Sequence, residues 1–214
     1  MRNRYHEDLE TVAGQVGTLF GLVERAIIRS SRALLDADRE LAESVISEDL
    51  GIDSLCRQIE AAAIEIQMRQ QPVARDLRLL LAVHRMVADL ERSGDLAKNI
   101  AKQVRRRHPS PVVPDICRET VTAIARTAQS LWSHAHEVFD EEDVEAARGL
   151  DAEDDQMDSL HRSLLLAVID GTSTSEVETA IDLTLIGRFY ERIADHAVAI
   201  AHQVVYISTG EVLG

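Results

Sequence analysis

Aromatic residues make up only 3% of this 214-residue chain, with a single tryptophan, so the interior must be built from Leu, Ile, Val and Ala. Proline is nearly as sparse: there are four, and three of them stand together as Pro109, Pro111 and Pro114. Long stretches on either side therefore carry no helix breaker. The two cysteines, Cys56 and Cys117, are far apart and form no C-x-x-C pair. That spacing implies no disulfide framework and fits reduced thiols in a cytoplasmic protein. No uncharged apolar run reaches the ~20 residues of a membrane-spanning helix. The opening MRNRYHEDLE lacks the apolar segment of a signal peptide. Basic residues are in deficit, 23 against 37 acids, giving a formal net charge of -14. Such a chain is repelled by phosphate backbones and by anionic lipid, so nucleic acid and membrane surface are poor partners. Cations, or basic patches on other proteins, suit it better. Catalytic signatures are missing too: there is no P-loop, G-x-S-x-G, G-x-G-x-x-G or H-E-x-x-H. The chain is not expected to be an enzyme.

What is present is helix. Leu9, Val12, Val16, Leu19, Phe20, Val23 and Ile27 follow one helical face, predicting a first helix from about Tyr5 to Leu35. Gly14, Gly17 and Gly21 lie within it, where a neighbouring helix could approach closely. Asp38 reads as the N-cap of a second helix through Leu41, Val45, Ile52, Leu55, Ile59 and Ile66. Pro72 fits the start of a third, which runs to the Arg105-Arg106-Arg107 cluster, where basic side chains complement a helix C-terminus. The HPSPVVP segment is the one clear boundary. Beyond it Ile116, Val121, Ile124, Leu131, Ala135 and Val138 mark a fourth helix. A fifth is expected from near Asp140 to before Gly171. Ser175 with Glu178 forms a capping box for a sixth, ending near Tyr206.

The second half repeats the first. ERSGDLAKNIAKQV from Glu91 matches ERIADHAVAIAHQV from Glu191 at eight of fourteen positions. EDLGIDSLCR from Glu48 matches EDDQMDSLHR from Glu153 at six of ten. The expected fold is all-α: two tandem three-helix bundles, residues 1–108 and 115–214.

Within the repeats lie paired acids one helical turn apart: Glu91 with Asp95 and Glu191 with Asp195, joined by Asp49 with Asp53 and Asp154 with Asp158. Thirty-seven acids in 214 positions give about six such pairs by chance. These pairs stand out because they recur at matching places. Glu191 and Asp195 are moreover the only acids between Leu183 and Gly210. Like charges set among apolar residues need a compensating cation. Either a metal ion supplies it, or Arg92 and Arg192 do as ion-pair partners. All-oxygen ligands favour hard ions such as Mg²⁺, Mn²⁺, Ca²⁺ or Fe³⁺. His161 and Cys56, three residues beyond Asp158 and Asp53, read as packing residues, since no Glu-x-x-His pair completes a di-iron pattern.

The run QPVARDLRLLL, the two E-x-x-x-D sites ERSGD and ERIADH, and the D-x-x-x-D-S-L second helices resemble the PhoU family along essentially the whole chain. The resemblance implies a doubled three-helix bundle, acting as a homodimer, that represses the phosphate-starvation response. It implies action between the ATPase of a phosphate-specific ABC transporter and a sensor histidine kinase. It also implies multinuclear metal clusters, iron or zinc, held by Glu91, Asp95, Glu191 and Asp195 and supported by Asp49, Asp53, Asp154 and Asp158. The family's D-H-A-x-N-I-A-E pattern is altered here: Ala199 and His202 replace its Asn and Glu in one repeat, and Lys102 its acid in the other. These departures predict unequal sites, the second being the weaker.

Overall fold

The computed structural model describes residues 2–171 and 177–213. Its elements are α1 (Arg2–Asp36), α2 (Arg39–Gln70), α3 (Ala74–Arg107), α4 (Asp115–Glu141), α5 (Val144–Ile169) and α6 (Val177–Thr209). No strand occurs among the described residues. α1 has 35 residues and α5 only 26, or roughly 50 and 40 Å at 1.5 Å per residue.

Helix ends follow local chemistry. Asp38 accepts a hydrogen bond from the Leu41 amide at 3.0 Å and caps α2 as expected. α2 stops at Gln71, whose left-handed φ of 46° turns the chain toward α3. α4 runs further than expected, to Glu141, and α5 begins at Val144 rather than near Asp140. Asp143 sets that start by accepting from the Glu145 and Ala146 amides, both at 3.0 Å. Ser175 of the expected α6 capping box lies outside the described residues. Ile116, expected in the core, is 68% exposed. It stands in the first turn of α4, and the neighbouring Cys117 takes the buried position.

The α1 face read from the sequence is buried along its length, from Leu9 to Ile27. α2 packs on α1 and α3, and α5 on α4 and α6. The two bundles also pack on each other, α3 against α6 and α1 against α4. A single apolar core therefore runs through both, with α2 and α5 on opposite flanks. Trp132 and Phe20 meet within it, ring centres 5.6 Å apart.

α3 and α6 run antiparallel. At one end Arg78 donates to the carbonyl of Ile207 at 3.1 Å. At the other the arginine cluster grips the start of α6. Arg106 bonds the fully buried carboxylate of Asp182, and Arg107 lies 2.7 Å from Glu178 and 3.6 Å from Asp182. The cluster thus ties the halves together as well as offsetting its own helix dipole, because antiparallel packing brings the acidic start of α6 beside it.

Of the three α1 glycines, only Gly17 has α4 close by: a Cβ there would meet Asp140 at 3.5 Å and Phe139 at 3.8 Å. Gly14 faces open space, and both line a cleft of about 680 Å³ between α1, the start of α3 and the ends of α4 and α6.

Candidate metal centres

Two helix pairs carry the acids. Glu91 and Asp95 project from α3 toward α2, which supplies Asp49 and Asp53. Glu191 and Asp195 project from α6 toward α5, which supplies Asp154 and Asp158. The members of each set feel one another's charge: Asp49 senses Asp53 and Asp95, and Asp154 senses Asp195, Asp158 and Glu191. The fold thus gathers all eight residues into two clusters of four, on the α2–α3 and α5–α6 seams. Among the described residues, no three His, Cys, Asp or Glu side chains converge as a ready-made metal-ion site.

The clusters differ in what balances them. In the first, Asp49 is buried and Lys98 Nζ lies 2.5 Å from its Oδ2. The same ammonium donates to Asp95 Oδ1. Burial raises the Asp49 carboxyl above the ordinary carboxylate range despite this partner. Burial alone would depress Lys98, but hydrogen bonds to Asp49 and Asp95 override it and hold the ammonium above the usual lysine range. Glu91 is raised by burial and then by the charges of Asp53, Glu60 and Asp95. The arginine expected as partner is elsewhere: Arg92 lies 3.8 Å from Asp89. One residue after Glu91, it points about 100° around the helix. Lys102, expected to disturb this cluster, instead reaches Asn99 Oδ1 at 3.4 Å within its own helix.

The second cluster has no lysine among it, since Val198 repeats Lys98 and is buried and apolar. Arg188 donates to Glu191, and His161 Nδ1 stands 3.9 Å from the same carboxylate. Asp154 is pushed up to about 6, first by desolvation and then by Asp195, Asp158, Glu191 and Asp151. His161, read as a packing residue, sits at the cluster's edge and packs closely on α6, 3.0 Å from where a Cβ on Gly187 would be. Its repeat counterpart Cys56 is buried, its thiol pushed up to about 12 by desolvation and then by Glu91, Asp53 and Glu60. A neutral thiol of that kind is a packing group.

Residues outside the paired acids also matter here. Asp89 lies 3.1 Å from His196 Nδ1 across the α3–α6 seam, so His196, next to Asp195, turns toward the other bundle and away from the acids. His202 Nε2 lies 3.0 Å from Asp151 on α5. Lys98 left a signal in the sequence as a basic residue opposite Val198 in the repeat alignment, and His202 left one as a departure from the family pattern.

All-carboxylate donors suit oxygen-loving divalent ions, and the second cluster, crowded with like charge, has that donor chemistry although no three of its groups converge. Asp154, Asp158, Glu191 and Asp195 would hold the ion. The first does not fit equally, because a lysine ammonium already holds one oxygen each of Asp49 and Asp95.

The PhoU domain family model matches residues 16–104 and again 121–204. The chain is 41% identical to the phosphate-specific transport system accessory protein PhoU homolog 2 of Mycobacterium tuberculosis, over 98% of this chain and 99% of that protein. Among solved structures, the crystal structure of PhoU from Pseudomonas aeruginosa superposes with a TM-score of 0.86, at 28% identity, over 97% of this chain and 100% of that one. The phosphate transport system regulatory protein PhoU from Streptococcus pneumoniae shares the fold, with a TM-score of 0.89 at 23% identity over 98% and 99%.

Proposed function

The chain belongs to the PhoU family, and from that premise we propose that it is a non-enzymatic accessory protein of a phosphate-specific transport system that represses phosphate-starvation genes when phosphate is plentiful. The end-to-end likeness to a protein named as such an accessory is the observation that carries this reading. A charge of -14 on a body of long helices suits docking to basic surfaces. The proposed partners are the transporter's ATPase and a sensor histidine kinase, met at the cytoplasmic face, with the protein acting as a homodimer. No described helix is long and apolar enough to cross a membrane, which agrees with peripheral association.

A bound metal is part of the proposal. When present, it would neutralise carboxylates that otherwise repel one another across the α5–α6 seam. The ion is iron or zinc by family resemblance, while the oxygen donors equally admit Mg²⁺, Mn²⁺ or Ca²⁺.

Deletion of every copy of the gene tests the regulatory role. Phosphate-scavenging genes should then be expressed in high phosphate, and transport should no longer be restrained. Continued repression in that strain sinks the proposal. Metal analysis of protein purified without chelator, with melts before and after chelation, tests the metal. A ligand bound only to the folded state raises its stability by RT ln(1 + [L]/Kd), so an unchanged melt and no co-purified metal would remove it.

A further inference from the structure

We infer that Lys98 is the built-in cation of the first acid cluster, taking the place a metal would hold, so that of the two repeats only the second answers to metal. The inference rests on the metal reading of the second cluster given above.

The geometry of one side chain carries the argument. Lys98 rises from α3 one turn beyond Asp95 and crosses to α2, joining an exposed carboxylate to a buried one. Its side chain is itself only 19% exposed. A divalent ion bound through carboxylate oxygens needs them at about 2.0–2.6 Å. At the first cluster it would have to displace an ammonium that stands 2.5 Å from Asp49 Oδ2 and carries charge of the same sign. The chain already contains its own comparison. The cognate position in the second repeat is Val198, which offers no charge, and Arg188 meets Glu191 from the solvent side without bridging α5 to α6. An internal ion pair thus closes the α2–α3 seam, whereas the α5–α6 seam has no lysine across its carboxylates.

The packing of the two outer helices differs in the same sense. α2 buries Ala42, Val45, Ile52, Cys56, Ile59, Ala63 and Ile66 besides Asp49, while α5 buries only Ala147, Leu150, Met157 and Leu164. Less apolar surface holds α5, so a cation across its carboxylates contributes a larger share of its attachment. The expected order of the sites is therefore reversed: the second repeat is the metal-responsive one, with the α5–α6 hairpin as the element whose order follows metal.

The test uses the full chain, stripped by chelator, with Mn²⁺ and Zn²⁺ as probes. Metal content is read by elemental analysis, and local order by amide hydrogen exchange. In the wild type, Glu191→Gln with Asp195→Asn should abolish bound metal, while Glu91→Gln with Asp53→Asn should leave it unchanged. Mn²⁺ should slow exchange in α5 and not in α2. Lys98→Val should speed exchange in α2 of the metal-free protein, and added Mn²⁺ should restore it with a gain in bound metal. Val198→Lys should slow exchange in α5 without metal and reduce binding there. Lys98→Met provides the same test should Lys98→Val fold poorly. Metal lost from the wild type through Glu91→Gln with Asp53→Asn overturns the inference, as does a Lys98 variant unchanged in both α2 exchange and metal content. A wild type that binds nothing, beside a Lys98 variant that gains metal, removes the metal reading of the second cluster and supports the role of Lys98.

Discussion

The phenol of Tyr190 donates a hydrogen bond of 2.9 Å to the hydroxyl of Ser31, both residues fully enclosed between the two bundles. Ser31 in turn donates to the Ile27 carbonyl at 2.6 Å. Burial raises the Tyr190 phenol well above its ordinary range, so it stays a neutral donor.

The two halves of this pair should therefore respond unequally to deletion. Tyr190→Phe removes one neutral hydrogen bond and should cost about 1 kcal/mol. Ser31→Ala also deletes a single oxygen but strands a buried O–H, and should cost about 1–3 kcal/mol. Urea unfolding of both variants checks this ranking, which fails if Tyr190→Phe proves the more damaging.

Metal-free protein should lose stability as pH rises from about 4 to about 6. The Asp154 carboxyl has its pKa raised to about 6 in the fold, against 3.8 ordinarily. In that window the unfolded chain sheds a proton that the folded chain keeps, so ionisation works against folding, and the penalty persists at higher pH. Because Asp154 is partly exposed, solvent screening reduces it to about 1 kcal/mol. Asp154→Asn should remove this slope and raise the melting temperature of chelated protein at pH 7.5, with no gain at pH 3.5. An equal gain at both pH values would show that charge repulsion is not the cause.

Two glycines give opposite expectations. Gly14→Ala meets no atom within 4 Å and should stabilise α1 by about 0.5–1 kcal/mol through helix propensity. Gly187→Ala would place its methyl 3.0 Å from His161 and 3.1 Å from Leu164. Overpacking of that kind costs about 1–3 kcal/mol, outweighing the propensity gain. Thermal melts should move in opposite directions. A stabilised Gly187→Ala would mean the α5–α6 contact yields easily.

Much of the architecture was legible because helices advertise themselves through local pattern. The Leu9–Ile27 stripe, the Asp38 cap and the proline-rich break each act over a few residues, and each appears in the fold where the pattern puts it. The acids were legible through recurrence: the repeat set Glu91 beside Glu191 and Asp49 beside Asp154, and the fold draws each set of four onto one seam. The boundary between α4 and α5 was less legible, since a run of acids from Asp140 to Asp143 offers several caps and only the backbone turn at Glu142, φ 53°, selects Asp143.

The sequence by itself determined the helices, their apolar faces and the twofold repetition, because helix periodicity and capping are written within a few residues of one another. Only the tertiary structure decided what neutralises the acids. Arg92 stands nearer to the first pair in sequence than Lys98 does, and Lys102 lies only one turn beyond Lys98. Yet helix rotation turns Arg92 toward Asp89 and leaves Lys102 on Asn99, while α2 brings a buried Asp49 within 2.5 Å of Lys98. Likewise Arg106 and Arg107 gained their partners only once antiparallel packing set Asp182 and Glu178 beside them. Charge acts through space, and which charges meet is fixed by how helices distant in the chain pack together.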